Sequence, residues 1–128
     1  MLASNLIRIG VVIALVGLAA GIGMGIADDF RLAPAHAHLN LVGFVTLFLA
    51  GLYYAVVPEA AETTLAKIQG VAAVAGAVLF PTGISLVVMI GPQFVPVAIA
   101  GALIVFLGMA LLAWIVFRFG VPLLKRPV

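Results

Sequence analysis

The only two histidines of this 128-residue chain, His36 and His38, stand two positions apart in the stretch Pro34-Ala-His-Ala-His-Leu-Asn40. A neutral imidazole nitrogen is a common ligand for a transition metal or a haem iron. The stretch opens a strongly apolar run, and ionisable groups at membrane depth are costly to bury and are functional candidates for that reason. On a helix turning ~100° per residue, positions i and i+2 point about 200° apart. Two imidazoles so placed cannot both ligate one iron from the same helix. Either one of them is a ligand, or each reaches into a different site. Ala35 and Ala37 leave space beside each ring, and Asn40 adds a polar neighbour. The plainer alternative is a hydrated interfacial pair with no ligand.

Few other side chains offer chemistry. Asp28 and Asp29 lie close enough in sequence to join His36 and His38 in a copper or zinc site, since carboxylate and imidazole suit such ions. A transport path would need polar groups deeper in the membrane, where only Asn40, Thr46, Thr82 and Ser85 are noted. Met24 and Met89 fall near the same ends of their segments, so His/Met ligation within one chain stays open, although a Met in an apolar helix ordinarily just packs. The absence of cysteine excludes disulfides, thiolate metal sites and covalent haem attachment. All four acidic residues lie between apolar stretches, and no nucleophile, base and acid come together. The chain is therefore not expected to be an enzyme.

These residues must be held by membrane helices. Hydrophobic residues make up 66% of the chain and charged residues 8%, against roughly 45–50% and about 25% in soluble domains. Ten charged side chains cannot coat a soluble core. Four apolar stretches, Leu6–Ala27, Ala37–Val57, Leu65–Ile90 and Val95–Phe119, each approach the ~20 residues that span roughly 30 Å of hydrocarbon. The expected architecture is all-α, a single four-helix transmembrane domain over residues 1–128. Asp28 to Pro34, Pro58 to Thr64, and Gly91-Pro92-Gln93 punctuate it.

Gly25-Ile26-Ala27 has the look of a signal cleavage site, but the preceding apolar run is long for one and reads as a retained helix. Gly17, Gly21 and Gly25 form a stripe that lets a helix or a flat ligand approach closely. Pro81 should bend the third helix and free a carbonyl. Tyr53, Tyr54 and Trp114 are read as interfacial anchors.

Alternating helices place Arg8, Lys67, Arg118, Lys125 and Arg126 on one side, with Arg31, Asp28 and Asp29 on the other. The Lys/Arg bias predicts cytoplasmic termini and histidines toward the outer face of a bacterial inner membrane. The net charge of +2 is too small to suggest a nucleic-acid partner.

His36-Ala-His38-Leu-Asn40, followed by Gly43-Phe44 and by Tyr53-Tyr54-Ala-Val-Val-Pro58-Glu59, resembles the second helix of the haem–copper oxidase large subunit, most of all its nitric oxide reductase branch. In that superfamily the helix carries an axial ligand of the low-spin haem. His36 keeps the family's distance to the tyrosine pair, whereas His38 keeps its His-x-Asn pattern, so both remain candidates. The His36-Ala37-His38 spacing is also similar to the family's tenth helix, where two histidines ligate two haems on opposite faces. The likeness covers about 25 residues. The further histidines of the copper site are missing, so the family's reduction chemistry is not implied. A four-helix chain resembles one of the three arcs of that subunit.

The resemblance implies haem b held by His36 and His38 as a low-spin, electron-transferring centre. The haem is shared between copies of a homo-oligomer, preferably a trimer, otherwise a dimer. Arg31 is then a candidate partner for a haem propionate, and Asn40 belongs to the same group. The electron donor and acceptor are not implied. The rival expectations are the copper or zinc module, and an assembly subunit with no cofactor.

Overall fold

In the computed structural model, which describes residues 1–121, all regular structure is helical, with no strand among the described residues. Helix α1 covers Leu2–Ala27. Helix α2 is continuous over Ala33–Val56. A single helical turn, α3, covers Pro58–Ala61, and α4 covers Thr64–Met89. A 3-10 turn at Pro92–Phe94 leads into α5, Val95–Phe119. The helices α1, α2, α4 and α5 (with its 3-10 turn) are each long and apolar enough to cross a membrane.

Two boundaries differ from the sequence expectation in a way that matters. Helix α2 begins at Ala33, four residues early, because Pro34 sits in its first turn, where a missing N–H costs nothing. Both histidines are therefore inside the helix. The Pro58-Glu59 punctuation is itself a helical turn, for the same reason. Helix α1 ends at Asp28, whose left-handed conformation (φ 50°) turns the chain while the Asp28 and Asp29 amides close on Gly25 and Met24.

Lipid gives helices no hydrophobic reason to associate, so close packing must do so. Helices α1 and α2 meet through glycines on both sides. A β-carbon on Gly10 would stand 3.3 Å from the Phe44 carbonyl, and one on Gly51 would stand 3.0 Å from the Ala3 carbonyl. Helices α4 and α5 share the most extensive contact, α2 packs on both α1 and α4, and α1 scarcely meets α5. The four spanning helices thus form an open row rather than a closed square.

One polar group inside this row escaped the sequence reading. Gln69 is fully buried (0% exposed), accepts a 2.9 Å bond from the Tyr54 hydroxyl and donates to the Gly108 carbonyl at 3.4 Å. Tyr54 is accordingly a core residue at 1% exposure rather than an interfacial anchor. Tyr53 is half-buried and bonds the Gly120 carbonyl at 3.2 Å, whereas Trp114 is exposed at 63%. Gln69 ties α2 to α5 across α4. Gln69→Leu strands the Tyr54 hydroxyl and is expected to lower stability by about 0.6–1.7 kcal/mol. Unfolding in mixed micelles would measure this, and unchanged stability would contradict the network's role.

Candidate functional site

The first helical turns of α2 hold the site. Past His38 the helix widens into a π-helix over Leu39–Thr46. Nothing in the apolar pattern of that run signals the change; Asn40 and Thr46 are its only polar side chains. Both donate to carbonyls of the helix: Asn40 Nδ2 to His36 O at 2.9 Å and Thr46 Oγ1 to Leu41 O at 3.0 Å. Such side-chain donors compete with the backbone for carbonyls, and in lipid each backbone polar group needs an internal partner. π-turns recur at functional sites, which directs attention to the histidines just before this one.

His36 and His38 leave α2 toward different neighbours. The His36 ring lies against α1, where a β-carbon on Gly21 would come to 3.0 Å from its Cε1. Asn40 Nδ2 approaches the same ring at 3.3 Å from Nδ1 and 3.4 Å from Nε2, favouring neither nitrogen. The Asn40 amide in turn fills the space beside Gly17, so tightly that no β-carbon fits there. The glycine stripe of α1 therefore receives α2 at Gly17 and Gly21, while Gly25 has open space. Asn40 thus lies between the His36 ring and Gly17 of α1.

His38 packs edge-on against Phe80 of α4, ring centres 4.7 Å apart. Its Nδ1 lies 2.7 Å from the Pro34 carbonyl. A carbonyl can only accept, so Nδ1 carries the hydrogen and, in the neutral ring, Nε2 keeps its lone pair. Histidines that ligate metals are commonly oriented by such a bond from the other nitrogen.

His36 also lines a cavity of about 290 Å³ between α1, α2 and α4, with Met24, Leu39, Pro81, Thr82 and Ser85 among its walls. Ser85 donates to the Pro81 carbonyl at 2.9 Å, and Pro81, lacking an N–H, leaves the Ala77 carbonyl without its usual helical donor. The cavity is at the lower edge of ligand-pocket volumes, roughly 300–1,000 Å³. It brings Met24 beside the His36 region, whereas Met89 does not line it.

The remaining site expectations fare differently. Arg31 makes a two-pronged ion pair with Asp29, the shorter contact 2.6 Å. The bond from the Arg31 guanidinium holds the Asp29 carboxyl down to about 2, below its ordinary value of 3.8. A depressed carboxylate keeps its pair above the ordinary range and loses it as pH falls through about 2. Both side chains are well exposed, so the pair adds little to stability. No group of three or more His, Asp or Glu side chains converges on a metal-sized site among the described residues. Asp28, Asp29, His36 and His38 are therefore not assembled as a copper or zinc centre.

These features define a class: an all-helical chain whose four long apolar helices are suited to a membrane, with two imidazoles near one end. The chain matches no family model, no curated protein and no solved structure.

Proposed function

We propose that this chain is a membrane haem b protein in which His36 of one copy and His38 of another ligate the same iron. The observation that carries the reading is the divergence of the two rings, His36 against α1 and His38 against Phe80 of α4. One chain cannot bring them to one iron, whereas two neighbouring copies supply one of each. The free Nε2 lone pair of His38 suits iron ligation.

When bound, a bis-histidine haem supplies an electron-transfer centre with no open coordination position. The chain's own residues surround the ligands: Asn40 lies beside the His36 ring, and the Pro34 carbonyl fixes the tautomer of His38. Arg31 is placed in the short connection before α2, and exchange of its Asp29 partner for a propionate would keep a charge-assisted bond.

The Lys/Arg distribution supports cytoplasmic termini in a bacterial inner membrane, with the histidines toward the outer face. Arg8, Lys67 and Arg118 belong to helix portions at the end away from the histidines; Lys125 and Arg126 lie outside the described residues. The preferred assembly is a homotrimer with each haem between adjacent copies. Haem content tests the shared ligation. A pyridine haemochrome assay on purified protein is expected to give about one haem per chain, and less than about half would contradict the shared-ligand trimer.

A further inference from the structure

At the end of the molecule away from the histidines, Lys67 stands between two apolar grooves. One, of about 630 Å³, runs between α1 and α4 past Leu2, Ile9 and Ala75. The other, of about 460 Å³, runs between α4 and α5 past Ala72 and Leu107. Lys67 and Val71 border both, so the grooves lie on either side of one ridge of α4. Along α4 the first reaches from Lys67 to Ala75 and the second from Thr64 to Ala72. Each is about 12 Å long at 1.5 Å per residue, close to the depth of one leaflet in a hydrocarbon core of roughly 30 Å.

Lys67 is the one charged side chain among the described residues that lines either groove. Lys67 is exposed and has no carboxylate partner among the described residues. It also sits in the first turns of α4, where unpaired amides and the helix dipole favour an anion. Thr63 occupies only the Ala66 amide.

We propose that Lys67 seats the phosphate of one diacyl anionic phospholipid, with its two acyl chains lying in the grooves on either side of Val71. The occupant follows from the pairing of charge and shape: one lysine that borders two shallow apolar grooves. This site is independent of the haem reading.

The test uses the whole protein in neutral detergent, titrated with phosphatidylglycerol, phosphatidylcholine or the single-chain lyso form of phosphatidylglycerol, with bound lipid read by native mass spectrometry. A basic residue contributes about 1 kcal/mol toward an anionic lipid, equivalent to roughly fivefold. Phosphatidylglycerol should therefore be retained about fivefold over phosphatidylcholine, and Lys67→Gln should erase that preference. Ala72→Leu and Ala75→Leu each fill one groove, and each should reduce binding of the diacyl lipid to the level of the lyso form. Equal retention of the two diacyl lipids, or an unchanged preference in Lys67→Gln, would overturn the headgroup seat. Equal binding of the diacyl and lyso forms would overturn the two-groove arrangement.

Discussion

Either His36→Ala or His38→Ala is expected to remove the whole low-spin b-type spectrum, not half of it. A low-spin iron of this kind needs both axial nitrogens, and in the proposed arrangement each haem takes one from each of two copies. Losing either residue type therefore leaves every haem in the ring with one protein ligand. A single-ligand site would behave differently, with one variant colourless and the other nearly unchanged. Neither substitution should unfold the chain. Both rings are only partly buried, and the bonds around them are local to α2: His38 to Pro34, and Asn40 to His36. Helical content by circular dichroism separates loss of haem from loss of fold.

The second large effect concerns the contact of α4 with α5. A β-carbon on Gly83 would stand 2.6 Å from both the Cα and the amide nitrogen of Ala98, and one on Gly101 would stand 2.6 Å from the same atoms of Phe80. Those obstacles are backbone, so no rotamer change relieves them and the helices must separate. Gly83→Val and Gly101→Val are each expected to destabilise by about 1–3 kcal/mol or more. Gly23→Val, where nothing lies within 4 Å, is the control and should be near neutral. Unfolding in mixed micelles orders the three variants. The effect should reach the histidine end as well, because Phe80, pressed against Gly101, also carries the ring of His38. Equal stability of Gly83→Val and Gly23→Val would contradict the packing described for α4 and α5.

Four helices were legible because the bilayer writes its thickness directly into the length of apolar runs. That His36 and His38 meet different side chains was legible as well, since the angle per residue of a helix already separates them. The glycine stripe was half-legible. Spacing singled out Gly17, Gly21 and Gly25, yet only the first two touch α2, and Gly10, a further two turns down, does so too. Spacing identifies one face of a helix but not how far along it the partner runs.

The π-segment was hidden because apolar residues on all sides leave no periodic signal to shift. Gln69 was overlooked for a different reason. It stands five residues inside a long apolar helix and looks like part of the polar boundary beside Lys67, whereas the row of helices buries it completely. A lone amide that deep needs partners, and that requirement was the available clue to the Tyr54 and Gly108 contacts. Asp28, Asp29 and the histidines are not gathered into a group of three or more among the described residues, and Asp29 pairs instead with Arg31 two residues away.

The most direct test of the central claim is a reduced-minus-oxidised visible spectrum of the wild-type protein, purified in detergent after expression with ample haem. The account predicts the sharp bands of a low-spin b-type haem. A colourless protein under those conditions would contradict it.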